Sequence, residues 1–207
     1  EVMSHFPNIY KKCLSIGIDL TKDMIPVVPA AHYCCGGIKV NLNGESSIRR
    51  LYALGEASST GLHGGNRLAS NSMMEAAVYA DAAARHAISV IDSIELQRDI
   101  PAWDYEGTAV PEEMALITQD YKEMQQIMTN YVGIVRSDVR LERAKRRLEI
   151  IFKETEELYL KSTLSQHLCE LRNMIAVGYL IIKQAEARHE SVGLHYSIDY
   201  PAKPVEI

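Results

Sequence analysis

Thr60-Gly61-Leu62-His63-Gly64-Gly65-Asn66-Arg67-Leu68-Ala69-Ser70-Asn71-Ser72-Met73-Met74-Glu75 places three glycines and a single arginine ahead of a helix. Its glycines let the backbone approach something closely. Arg67 then offers a planar, permanently charged fork suited to a carboxylate. Asn71 or Ser72 caps a helix that runs through Met73, Met74, Ala77, Val78, Ala84 and Ile88 to about Ile94. The free N–H groups and positive end of that helix favour an electron-rich or anionic partner. A glycine loop with a structural arginine and a capped helix is the plainer alternative at this point.

Upstream, Leu51-Tyr52-Ala53-Leu54-Gly55-Glu56-Ala57-Ser58 reads as an apolar strand running into Gly-Glu. A carboxylate at the end of a strand suits the hydroxyls of a nucleotide or ribityl chain, and a solvent-facing turn glutamate fits equally well. Asn43-Gly44 is a hairpin signal between that segment and a short strand over Ile38–Asn41. Earlier still, Pro29-Ala30-Ala31-His32-Tyr33-Cys34-Cys35-Gly36-Gly37 places a histidine before a glycine pair. Such a histidine can face a cleft, or serve as a hydrogen-bonded structural residue. Arg67 and His32 together could hold a dicarboxylate. Met3–Leu14 suggests a helix with Phe6, Ile9, Tyr10 and Cys13 on one face and Pro7 in its first turn; Met24–Ala31 reads as extended.

Downstream, residues 101–111 (PAWDYEGTAVP) form a proline-bounded connector. Three helical patterns follow, at about 112–135, 138–161 and 164–189. The first starts behind Pro111 with Glu112 and Glu113, acidic residues that suit a helix start. Leu141, Leu148, Ile151, Phe152, Leu158 and Tyr159 mark the second apolar stripe, and Leu168, Leu171, Ile175, Val177, Leu180 and Ile181 the third. Met114, Met124 and Met128 read as core filler. Short connections between three stripes predict an up-down-up bundle.

Composition narrows the class. The chain has 207 residues, 47% hydrophobic and 24% charged, with a formal net charge of -5. That balance argues against nucleic acid as a partner. Arg136, Arg140, Arg143, Lys145, Arg146 and Arg147 are interleaved with or followed by Glu142, Glu149, Glu154, Glu156 and Glu157, the pattern of a solvated helix face. The cysteines at 13, 34, 35 and 169 have no zinc spacing, so no metal is expected, and free thiols in a reducing cytoplasm account for them. No apolar run approaches the roughly 20 residues of a bilayer span, so no membrane is expected.

PAAHYCCGG, LYALGEASSTGLHGGNRLASNS and the closing ARHESVGLHYSIDYP occur in order. Together they resemble the L-aspartate oxidases, within the flavoprotein family that includes succinate dehydrogenase and fumarate reductase. The resemblance runs over essentially the whole chain, and the helical region closing in GLHYSIDYP points to the oxidases in particular. Cys34, where Thr or Met is usual, and Val192, where Arg is common, depart from the family's pattern.

The resemblance implies an α+β chain: an incomplete α/β flavin-binding portion followed by a three-helix up-down-up bundle. Residues 1–22 would end a capping domain and 23–100 would be the C-terminal part of an FAD-binding domain. Residues 101–111 are the linker, 112–190 the bundle and 191–207 an extended tail. His32 and Arg67 would bind the carboxylates of L-aspartate or another dicarboxylate, with His63 near the same pocket. Glu56 would bond the ribityl hydroxyls of FAD, and Asn71, Ser72 and Met73 would present the helix start to the flavin. Hydride transfer from substrate C2 to flavin N5 would give iminoaspartate for NAD biosynthesis, with oxygen (yielding hydrogen peroxide) or fumarate reoxidising the flavin. The family's catalytic arginine has no counterpart here, and no GxGxxG follows a strand. The chain is therefore expected to act with the remaining N-terminal part of the same enzyme and to be inactive alone. Quinolinate synthase is a further expected partner. The alternatives are a soluble fumarate reductase or succinate dehydrogenase flavoprotein subunit, and a non-catalytic helical interaction module.

Overall fold

Serine caps set the starts of the two longest helices of the C-terminal region. In the computed structural model, which describes residues 2–110 and 114–202, the Ser137 hydroxyl accepts from Arg140 N and the Ser165 hydroxyl from Leu168 N, both at 3.3 Å. The chain divides into two compact units, Glu1–Ala30 and Ala31–Ile207.

The first unit holds α1 (Val2–His5) and α2 (Pro7–Leu14). Pro7 opens α2, where a missing N–H costs nothing. Phe6 and Ile9, expected on an apolar face, are exposed within this unit.

The second unit is mixed and rich in helix, with little strand. β1 (Ile38–Lys39) runs parallel to β2 (Ser58–Ser59), with Ile38 opposite Ser58. The Asn43-Gly44 turn forms around Asn41, whose side-chain oxygen accepts from Asn43 N at 2.9 Å and Glu45 N at 3.1 Å. The strand expected over 51–54 does not form. Tyr52 makes one antiparallel bridge to Glu45, and Gly55, at φ +62°, then turns the chain into a 3-10 turn over Gly55–Ala57. Glu56 therefore sits on a turn, not at the end of a strand. α3 spans Asn71–Ile91. Neither Asn71 nor Ser72 is its cap; Ser70 is, in the left-handed conformation (φ +68°), and its side chain makes no capping hydrogen bond.

Three helices follow: α4 (Met114–Tyr131), α5 (Asp138–Lys161) and α6 (Gln166–Ala187). Pro111, Glu112, Glu113 and the side chain of Met114, expected at the start of α4, lie outside the described residues. One core joins the three helices, with Met124 and Ile127 from α4, Leu141 and Leu148 from α5, and Leu171 and Ile175 from α6. The stripe on α6 differs from the expected one. Leu168, Leu171, Ile175, Gly178, Ile182 and Ala185 are buried, whereas Val177 and Leu180 are exposed. Steps of three and four residues follow the 3.6-residue period, and they place a glycine in the seam where a larger side chain was expected. A Cβ on Gly178 would lie 2.3 Å from Met124 Cε, so the glycine lets α4 and α6 approach. Phe152 is also exposed.

The basic run on α5 is held in ion pairs: Arg146 with Glu142 at 2.8 Å, Lys145 with Glu186 at 3.2 Å and Arg147 with Glu123 at 3.3 Å. Such solvated pairs each add little to stability.

The tail after Ser191 is not simply extended. It turns back at Gly193–Leu194 through a bridge between Val192 and His195, then runs parallel to Arg136 at Ser197. Residues 203–207 of the expected tail lie outside the described residues. No described helix is long and apolar enough to cross a membrane.

Candidate functional site

The histidine motif and the Gly-Glu turn meet through backbone. Glu56 Oε1 accepts from Cys34 N at 3.0 Å. Gly37 passes so close to the turn that a Cβ there would lie 2.3 Å from Ala57 O. Only glycine fits, and its φ of +143° reinforces the demand.

Helix α3 supplies the next anchor. Glu75, on its second turn, is only 3% exposed. A buried carboxylate needs its lone pairs used. His63 Nε2 donates to Glu75 Oε2 at 2.6 Å, Tyr33 Oη donates to the same oxygen at 3.4 Å, and the Thr60 hydroxyl donates to Oε1. The His63 ring meets the Tyr33 ring edge-on, centroids 5.3 Å apart. On the Tyr33 ring lies the Arg67 guanidinium, its Cζ 4.6 Å from the centroid, within cation–π range. Burial first, then the Glu75 and Glu56 carboxylates, push the Tyr33 phenol up, so it remains a donor.

The structure thus brings His63 and Arg67 together through Tyr33. Arg67 Nη1 donates to Leu68 O at 3.4 Å, while its Nε is buried with no partner among the described residues. His32, one residue before Tyr33, is exposed and makes no hydrogen bond to Arg67 or His63 among the described residues. Asn71 and Ser72, half-buried, and Met73, exposed, form the first turn of α3. Its N–H groups receive no side-chain cap.

Tyr33 and Glu75 were missed as site residues. The signal for Glu75 was available: it shares the inward face of α3 with Ala83, and a charge in an alanine-rich inward stripe demands partners.

The tail closes the loop from the other side. Leu194 N donates to Gly65 O at 2.9 Å, and Gly193 packs on Gly65 backbone to backbone. Behind the turn, Arg136 Nη1 donates to Nδ1 of His195, a residue 8% exposed, at 2.9 Å. Accepting there places the ring proton on Nε2. Burial, and then the Arg136 charge, hold the His195 imidazole below its ordinary value.

Comparison with known proteins matches these parts to two family models. An FAD binding domain matches residues 1–73, and a fumarate reductase flavoprotein C-terminal model matches residues 121–204. L-aspartate oxidase from Yersinia pestis is 48% identical over 200 residues, covering 97% of this chain and 38% of that protein. The Vibrio cholerae L-aspartate oxidase is 43% identical over 205 residues, covering 99% of this chain and 38% of its own length. This chain belongs to the L-aspartate oxidase family. It spans about 38% of the length of these relatives. Among solved structures, an E. coli quinol fumarate reductase superposes with a TM-score of 0.78 at 25% identity, covering 99% of this chain and 38% of that one. The family assignment gives the glycine loop, the Gly-Glu turn and the start of α3 a common frame, since all lie in the part matched by the FAD-binding model or just beside it.

Proposed function

We propose that this chain forms part of an FAD-dependent L-aspartate oxidase, in which it supplies dicarboxylate-binding side chains and one wall of the flavin site. The observation that carries this reading is the Arg67 guanidinium, laid on Tyr33 and paired with no carboxylate among the described residues. A permanent cation without an acidic partner is what a carboxylate ligand satisfies. The 43–48% identity to L-aspartate oxidases supports the choice of substrate.

In this reading Arg67 grips one carboxylate of the substrate, and His32, exposed beside Tyr33, takes part in holding the other. His63 lies at the edge of the same pocket. The donor set also fits FAD. Glu56 accepts one protein hydrogen bond through Oε1, which leaves its other oxygen for ribityl hydroxyls. The first turn of α3, at Asn71, Ser72 and Met73, offers uncapped N–H groups and a positive dipole end to the electron-rich side of the ring. FAD, when bound, supplies the hydride acceptor that turns aspartate into iminoaspartate, with oxygen or fumarate as the final acceptor. The chain's own contribution is to bind and orient, so that substrate C2 is presented at a fixed distance.

Domain organisation follows the same reading. Residues 1–22 end a capping domain, 23–100 complete the FAD-binding domain, and 112–190 form an up-down-up three-helix bundle beyond the 101–111 linker, with 191–207 as a tail. The shared core of α4, α5 and α6 supports the bundle. The working enzyme is cytoplasmic, and quinolinate synthase is the partner that would receive iminoaspartate.

A second reading, a soluble fumarate reductase or succinate dehydrogenase flavoprotein, draws on the fumarate reductase superposition. One experiment separates the two. The whole oxidase carrying this sequence is assayed on aspartate and on succinate, with and without Arg67→Ala. We expect turnover on aspartate, none on succinate, and a KM for aspartate raised about 100-fold or more in the variant with its flavin spectrum intact. Oxidation of succinate in preference to aspartate contradicts the reading.

A further inference from the structure

Glu75 is an acidic side chain set in the inward face of a helix, and it reaches two segments, the glycine loop and the histidine motif. Gly61 and Gly64 both have positive φ, and a Cβ built on either meets nothing within 4 Å. The glycine loop is therefore not fixed at those points by packing. Polar bonds must do it. Glu75 receives Thr60 from the loop's start, His63 from its middle and Tyr33 from the histidine motif. Helix α3, 21 residues long, provides the rigid base for all three.

We propose that Glu75 is the positioning residue of the carboxylate-binding side chains. It sets the tilt of Tyr33, the platform under the Arg67 guanidinium, and it fixes the His63 ring with the proton on Nε2. Nδ1 of His63, which has no partner among the described residues, is then an acceptor, suited to a ligand's N–H and not to its carboxylate. Glu75 itself, buried behind these rings, touches no substrate. Its effect on carboxylate binding runs through the Tyr33 platform to Arg67, and the inference rests on the reading of Arg67 as a carboxylate ligand.

The test uses the whole oxidase carrying this sequence, with aspartate as the probe. Glu75→Gln keeps the shape but removes the charge that assists all three hydrogen bonds. The expected result is a KM about tenfold higher, a kcat within about threefold, and unchanged flavin absorption. Because Glu75 acts through Arg67, the double variant Glu75→Gln/Arg67→Lys should raise KM by no more than about twofold over Arg67→Lys alone. A merely structural glutamate would lower the melting temperature and flavin content, and its effect would multiply that of Arg67→Lys. Should Glu75→Gln not fold, Tyr33→Phe deletes one hydroxyl and keeps the platform; KM should rise about threefold at constant kcat, again without adding to Arg67→Lys. KM values within twofold of the parent, or effects that multiply, overturn the assignment of Glu75. If Arg67→Lys itself leaves KM unchanged, the carboxylate role of Arg67 fails and takes this inference with it.

Discussion

Gly65 and Gly193 touch backbone to backbone: a Cβ on Gly193 would lie 2.5 Å from Gly65 Cα, and one on Gly65 would lie 2.8 Å from Gly193 Cα. With Leu194 N bonded to Gly65 O at 2.9 Å, this contact ties the tail to the loop that carries His63 and Arg67. The same tail is pinned to Arg136 by Arg136 N to Tyr196 O and Ile198 N to Arg136 O, both 3.0 Å. The glycine loop is thus braced from beneath by α3 and from the side by the C-terminal helical region.

Gly193→Ala should break that brace. Its φ of +59° strains any side chain, and the methyl has only backbone to displace. A loss of about 2 kcal/mol or more is expected in denaturant melts. KM for aspartate should rise with it, because Gly65 lies two residues before Arg67. A variant of parental stability and KM would show that the tail does not hold the loop.

The seam between α4 and α6 is tested at Gly178. Val at this position must push Met124 aside, since even a Cβ falls 2.3 Å from Met124 Cε. Overpacking of about 1–3 kcal/mol should appear as a lower melting temperature. Met124 ends in a flexible thioether, so Gly178→Ala should cost much less.

Removing the caps is a milder test. Ser137→Ala and Ser165→Ala each delete the hydroxyl that satisfies a first-turn N–H, and each should lose about 1 kcal/mol by chemical denaturation. Ser70, whose hydroxyl makes no such bond, should tolerate Ala better on that count.

Much of this was legible in the residues. The three helical stripes reported themselves because apolar positions recur at 3.6-residue spacing, and α5 and α6 begin where a serine can cap them. The α6 stripe was misread at Val177 and Leu180 because the seam residue there is a glycine, which carries no apolar signal. Residues 51–54 look like a strand, yet Gly55 at φ +62° ends the extension before a ladder can form. Arg67, Glu56 and the glycines stood out individually. That Glu75 gathers His63, Thr60 and Tyr33 could not be read off, since it depends on how the loop folds back over α3.

His195 should make stability depend on pH. Its folded value lies below the ordinary one, chiefly through burial. The unfolded chain therefore binds a proton first as pH falls. The contribution of the neutral ring is complete above about 6.5, the ordinary histidine value, and is lost as pH drops toward the depressed folded value. Melting temperatures measured from pH 7.5 to 5 should fall in the parent and fall less in His195→Gln. Parallel curves would contradict this.

Asp120 should show the opposite sign. Burial, and then Glu154 and Glu123, push its carboxyl up. The ionised form is thus disfavoured in the folded state at neutral pH. Asp120→Asn should raise the melting temperature at pH 7, and the gain should shrink as pH falls through the raised value and the parent's carboxyl protonates.

A crystal structure of the whole oxidase with a bound dicarboxylate tests whether Arg67 and His32 share one ligand. One carboxylate should lie about 3 Å from the Arg67 guanidinium and the other within hydrogen-bonding reach of the His32 imidazole, beside the flavin. A dicarboxylate seated elsewhere, with Arg67 and His32 facing separate regions, would contradict the account.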